Sequence, residues 1–138
     1  MLKRLIVVGL CLGCASTAHA GPLRGLLWDK TFTAGLIAGQ GFDAASTYRF
    51  LHNGSGCTET NAWLGPRPSA GKILAQKSFT VGISLAYQAL AYRVHERAKH
   101  EGAEGWARTA KWINRGVLLM GGLFGADAGV HNVRMCGW

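Results

Sequence analysis

Residues 115–134 read RGVLLMGGLFGADAGVHNVR, and this stretch decides the fold class. Two arginines bound a mostly apolar run in which Gly121, Gly125 and Gly129 recur every fourth position, with Asp127 and His131 set among them. A four-residue recurrence keeps side chains on one helical face, whereas a strand alternates every second residue. An interior helical glycine costs about 1 kcal/mol relative to alanine. A helix that carries Gly116, Gly121, Gly122, Gly125 and Gly129 is therefore expected to use them where helix backbones approach closely.

The same spacing appears upstream. Gly35, Gly39, Asp43 and Thr47 lie four apart, and Ser78, Gly82 and Ala86 repeat the pattern. Start and stop signals frame three helices. The first begins near Asp29, a suitable N-cap, and ends at Asn53-Gly54. A loop rich in Gly, Ser and Pro follows to Pro68. Ser69 caps the second helix, which carries Ile73 to Tyr92 and continues as a charged extension to about His100. Gly102 and Gly105 break the chain, and the third helix runs from about Glu104 to Arg134. The expected fold is an all-α bundle of three helices. The second and third form an antiparallel hairpin, and the first packs on them through its Gly35/Gly39 face. Gly82, Gly121, Gly125 and Gly129 are the other expected packing positions.

The N-terminal segment reads differently. Lys3 and Arg4 precede the apolar Leu5–Leu12, and Ala18-His19-Ala20 supplies small residues for cleavage. That pattern predicts a signal peptide over residues 1–20, leaving residues 21–138 as a single helical domain on the exported side, in the periplasm or on the periplasmic face of the inner membrane. The rival, lipid attachment at Cys14, is poor because Cys11 stands where a leucine is wanted. The whole chain carries +8. Without Lys3 and Arg4, 13 basic residues face 7 acidic ones, for +6. Outside the cytoplasm such charge favours lipid headgroups or acidic envelope polymers over nucleic acid. The mature part keeps two of the four cysteines, Cys57 and Cys136. In an oxidising compartment they are expected to form a disulfide.

The apolar stretches between Lys30 and Arg49, Lys77 and Arg93, and Arg115 and Arg134 are each marginal for a membrane span. Trp28, Trp63, Trp106, Trp112 and Trp138 flank them, as in an interfacial belt. Residues 93–115 carry Arg93, Arg97, Lys99, Arg108, Lys111 and Arg115. A membrane hairpin of the second and third helices would place this connection in the cytoplasm and both cysteines outside. Three spans would put the cysteines in reducing surroundings and are disfavoured. A fully exported bundle lying on the membrane has no such conflict.

Antiparallel neighbours bring the end of the first helix, the start of the second and the end of the third to one pole. Asp43, Thr47, Glu59, Asn61, Asp127, His131 and Asn132 are expected to gather there, beside the disulfide. Asp43/Thr47 and Asp127/His131 are four-residue pairs that share a face. Such a group either pins the helices through hydrogen bonds or, through Asp43, Glu59, Asp127 and His131, holds a divalent metal able to activate water. Buried acids need partners, and Arg49, Lys77, Arg134 and His131 are candidates. His95 and His100 fall in the charged extension and are expected to face solvent. No His-Glu-x-x-His spacing, phosphate loop or nucleophile elbow is present.

Residues 57–69, CTETNAWLGPRPS, are the least generic part of the chain. Taken with Asp43-x-x-x-Thr47 and His131-Asn132, they resemble a loose group of small bacterial helical proteins that pair an Asp-containing first helix with a Glu-x-Asn-Pro loop. Ala62 stands where proline is commoner in that group. The resemblance covers about residues 40–70 and 127–134. It implies a membrane-associated helical fold and brings no activity with it. The expected role is a non-enzymatic structural or interaction module of the cell envelope, with a lipid surface and a protein partner or second copy as its contacts. The alternatives are a metal-binding protein or metal-dependent hydrolase, and a soluble periplasmic binding module.

Overall fold

The computed structural model describes residues 23–52, 56–59 and 61–136. The expected signal peptide, the Asn53-Gly54 stop and Trp138 lie outside them. A one-turn helix α1 (Leu23–Leu26) leads into α2 (Lys30–His52), α3 (Ala70–His100) and α4 (Glu104–Cys136). All secondary structure among the described residues is helical.

The hairpin of α3 and α4 follows from local chemistry. Ser69, in an extended conformation, accepts a hydrogen bond from the Lys72 amide at 3.3 Å and caps α3. At the other end Gly102 takes a φ of +71°, a left-handed conformation suited to glycine. Its amide bonds the Lys99 carbonyl, and the Ala103 amide bonds the Ala98 carbonyl at 2.8 Å. These are the two bonds of a Schellman stop. Ala103 then accepts from the Ala107 amide and α4 begins. Gly105 does not break the chain: it lies inside the first turns of α4. The turn also folds His95 inward, against expectation. Its Nδ1 lies 2.8 Å from the Ala107 carbonyl and its ring packs 4.8 Å from Trp28.

α3 runs antiparallel to its two neighbours, so α2 and α4 run parallel, and their seam is the closest in the molecule. A Cβ added at Gly125 would lie 2.6 Å from the Gly39 carbonyl carbon, and one at Gly122 would lie 2.9 Å from the Gly35 carbonyl oxygen. Gly129 fits against the Phe42 ring. Helix axes this close need bare backbone on both sides. The expected packing set is corrected in part. Gly39, Gly125 and Gly129 lie in the seam, joined by Gly122, and Gly121 meets only the Leu36 side chain. Gly35 and Gly82 have no atom within 4 Å of the Cβ direction.

The interior is small and polar. Leu36, Ile73 and Leu118 are its largest fully buried apolar side chains, and Gln88, Asn114 and Thr47 are as deeply enclosed. The outer faces are the reverse, with Phe79, Phe124, Leu90, Ile83 and Leu123 all more than half exposed. No helix among the described residues is long and apolar enough to cross a membrane.

Candidate functional site

Cys57 and Cys136 are joined, with Cα atoms 6.0 Å apart across 79 positions of sequence. The bond ties the loop after α2 to the last turn of α4. One turn before Cys136 on α4, Asn132 enters a polar cluster shared by all three long helices.

At its centre is Asp43 on α2, only 6% exposed. Its carboxylate pairs with the Lys77 ammonium from α3. Its other oxygen accepts from the Thr47 hydroxyl at 3.2 Å and from the Asn132 amide at 3.4 Å. Asn132 also donates to the Thr47 and Ser46 hydroxyls at 3.0 and 3.2 Å. Asp43, Thr47 and Asn132 thus meet as the sequence suggested, and Lys77 is the partner that Asp43 required. A carboxylate engaged by an ammonium, a hydroxyl and an amide from three helices is a tie between them, with most of its acceptor capacity in use.

The other expected members are elsewhere. Asp127 and His131 are exposed on α4. Gly125, Gly129 and Asn132 define the face of α4 that meets α2, and at 3.6 residues per turn Asp127 lies about 200° from Gly125. His131 is turned about 100° from Asn132 on the same count. Glu59 and Asn61 serve their own loop. The Glu59 carboxylate accepts from the Asn61 amide at 2.8 Å, and the Asn61 side-chain oxygen accepts from the Trp63 amide at 3.1 Å. The Asn61 carbonyl then receives Leu64 and Gly65, and Gly65 turns with φ +75°. Among the described residues no three His, Cys, Asp or Glu side chains converge, so Asp43, Glu59, Asp127 and His131 do not assemble as a metal-ligand set.

A second cluster, which the sequence reading missed, pins the opposite half of the bundle. Gln88 on α3 is completely buried. Its amide donates to the Leu26 carbonyl and to the Thr33 hydroxyl, the latter at 3.1 Å. Its carbonyl accepts from the Asp29 amide and from Asn114 of α4, both at 3.3 Å. The Asp29 carboxylate, expected to cap α2, reaches Arg115 on α4 at 2.6 Å. The Arg115 guanidinium lies over the rings of Phe32 and Trp112 at 5.4 and 5.2 Å. A lone Gln or Asn within a helical run of small and apolar residues was the available signal, since such an amide is buried only with partners.

The two clusters place one ion pair at each end of a bundle whose core has few large side chains. Comparison with protein-family models, with curated proteins and with solved structures finds no match to the chain.

Proposed function

We propose that this protein is a structural or interaction module that lies on a membrane surface on the exported side of the cell envelope. The observation that carries the reading is the inverted distribution of side chains. Gln88 and Asn114 are fully enclosed, while Phe79 is 70% exposed and Phe124 65% exposed. In water, large apolar side chains exposed in this number on α3 and α4 favour docking, since burying them is favourable by about 25 cal/mol per Å². Polar groups held inside and apolar groups turned outward suit a surrounding that offers hydrocarbon. Since the described helices are not long and apolar enough to cross a bilayer, the fitting mode is insertion of an apolar face into the interfacial layer. Exposed Trp63, Trp106 and Trp112 suit that depth. The positive net charge adds attraction to anionic lipid. The Cys57–Cys136 bond is compatible with an oxidising compartment. A non-enzymatic role is favoured because Asp43 and Asp29 are both committed to cations.

Vesicle flotation tests the reading. Protein mixed with phosphatidylcholine vesicles containing phosphatidylglycerol is expected to float with them and to be released only partly by high salt, because screening removes the charge component and leaves the apolar one. A monodisperse protein that stays at the bottom of the gradient with every lipid mixture would overturn it.

A further inference from the structure

The seam between α2 and α4 opens outward into a groove of about 460 Å³ lined by residues of these two helices alone. Phe32 and Phe42 of α2 and Leu119 and Leu123 of α4 form its walls, and Gly35 lies in it. Measured along α2 from Thr31 to Phe42, it is about 17 Å long at 1.5 Å per residue. We propose that the groove holds one acyl chain of an anionic phospholipid, taken from the bilayer on which the protein lies; the proposal rests on the membrane-surface reading above.

Three observations select this occupant. The lining is apolar apart from the Thr31 hydroxyl. Helical backbone lines it, and its amides and carbonyls are used within the helices, so an extended peptide would find no edge to pair with. A polar ligand entering it would lose water and gain no hydrogen bonds. Next, the groove is continuous with the apolar exterior. Leu119 and Leu123 line it and are also 47% and 53% exposed, so a chain can slide in sideways from hydrocarbon. Last, charged groups stand beyond both of its ends, and one of them borders the lining. At the Phe32 end the Arg115 guanidinium, paired with Asp29, sits 5.4 Å from the lining ring. Lys30 precedes the first lining residue, and Lys111 lies one turn beyond Arg115 on α4. At the other end the exposed Arg49 follows Phe42 by two turns on the same face of α2, and the last lining residue, Ala126, is followed by the exposed Asp127. An amphiphile with a negative head fits with that head beside Arg115 and Lys111, where the guanidinium borders the lining ring, and its tail toward Phe42.

Filling the groove tests this at Gly35, where an added Cβ has no atom within 4 Å, and at Ala38, which also lines the groove. Wild-type protein, Gly35→Leu and Ala38→Leu are incubated with equimolar phosphatidylcholine and phosphatidylglycerol vesicles and extracted into a mild non-ionic detergent. Native mass spectrometry counts the retained lipid, and flotation is run in parallel. The wild type is expected to keep one phosphatidylglycerol per chain. Both filled variants should keep at least tenfold less, the effect of about two methylenes left unburied. They should still float. The double variant Lys30→Gln/Lys111→Gln should lose the preference for phosphatidylglycerol over phosphatidylcholine. Unchanged retention in the filled variants, or a wild-type protein that floats but keeps no lipid, overturns the acyl-chain proposal alone. So does a stoichiometric dimer that Gly35→Leu dissolves, since the occupant is then a second copy. A wild-type protein that fails to float removes the membrane reading and this proposal together.

Discussion

Replacing Gly39 and Gly35 by alanine, one at a time, asks the same helix the same question at two positions one turn apart. Each substitution removes a glycine from the interior of α2, and each gains about 1 kcal/mol of helical preference. At Gly35 the new methyl meets nothing within 4 Å, so that gain should stand alone. At Gly39 the methyl would fall on the Gly122 carbonyl, with the carbonyl carbon at 2.8 Å where ordinary contact begins near 3.4 Å. Backbone cannot rotate away, so α2 and α4 must move apart. Overpacking of this kind costs about 1–3 kcal/mol, and a rigid backbone obstacle argues for the upper end. The separation also loosens the Gln40 amide from the Gly121 carbonyl, now at 2.7 Å. Gly39→Ala should therefore lose about 2 kcal/mol net while Gly35→Ala gains about 1. At roughly 4 °C per kcal/mol for a domain of this size, the two melting temperatures should differ by about 12 °C. Thermal unfolding by circular dichroism, with the disulfide intact and in one buffer or detergent, measures the difference. Equal shifts in the same direction would refute the glycine seam.

The buried ion pair should behave asymmetrically. Lys77→Met leaves the Asp43 charge enclosed without its cation and is expected to cost about 3–5 kcal/mol in denaturant unfolding, whereas Asp43→Asn should cost less, because the long lysine stem can carry its charge to water. Adding Asp43→Asn to Lys77→Met should recover much of the loss, and a strictly additive double variant would contradict a direct pair. Cys136→Ser, or reduction of the wild type, should lower stability by about 4 kcal/mol through the freedom regained by the unfolded chain. A midpoint unmoved by reductant would mean that the cross-link does not constrain that chain.

Much of the bundle was legible because its ends are written locally. Ser69 and Gly102 bracket α3 through a cap and a left-handed residue, and the three-residue turn leaves α4 little choice but to return alongside. The disulfide was legible because exactly two cysteines follow the expected leader. Register was harder. A strict four-residue step advances about 40° per step around a helix with 3.6 residues per turn. Following Gly121, Gly125 and Gly129 by fours therefore leaves the true contact line, which runs through Leu118, Gly122, Gly125, Gly129 and Asn132 in alternating steps of four and three. Asp127 and His131 form a four-residue pair of their own, two positions off the glycine series, and so lie on another face of α4. Glu59 and Asn61 misled for another reason: a short-range bond between neighbours in a loop competes with any distant site. Gln88 and Asn114 were not legible because they lie away from the cysteine pole, where the helix order gathers the other polar residues.

The cross-link has a topological consequence. Joining positions 57 and 136 encloses all of α3 and α4 in a covalent ring, with α1 and α2 as a tail outside it. One backbone cut in the turn at residues 101–103 would open the ring without dividing the molecule. A protease that nicks this turn would leave a single species until reductant released the second fragment.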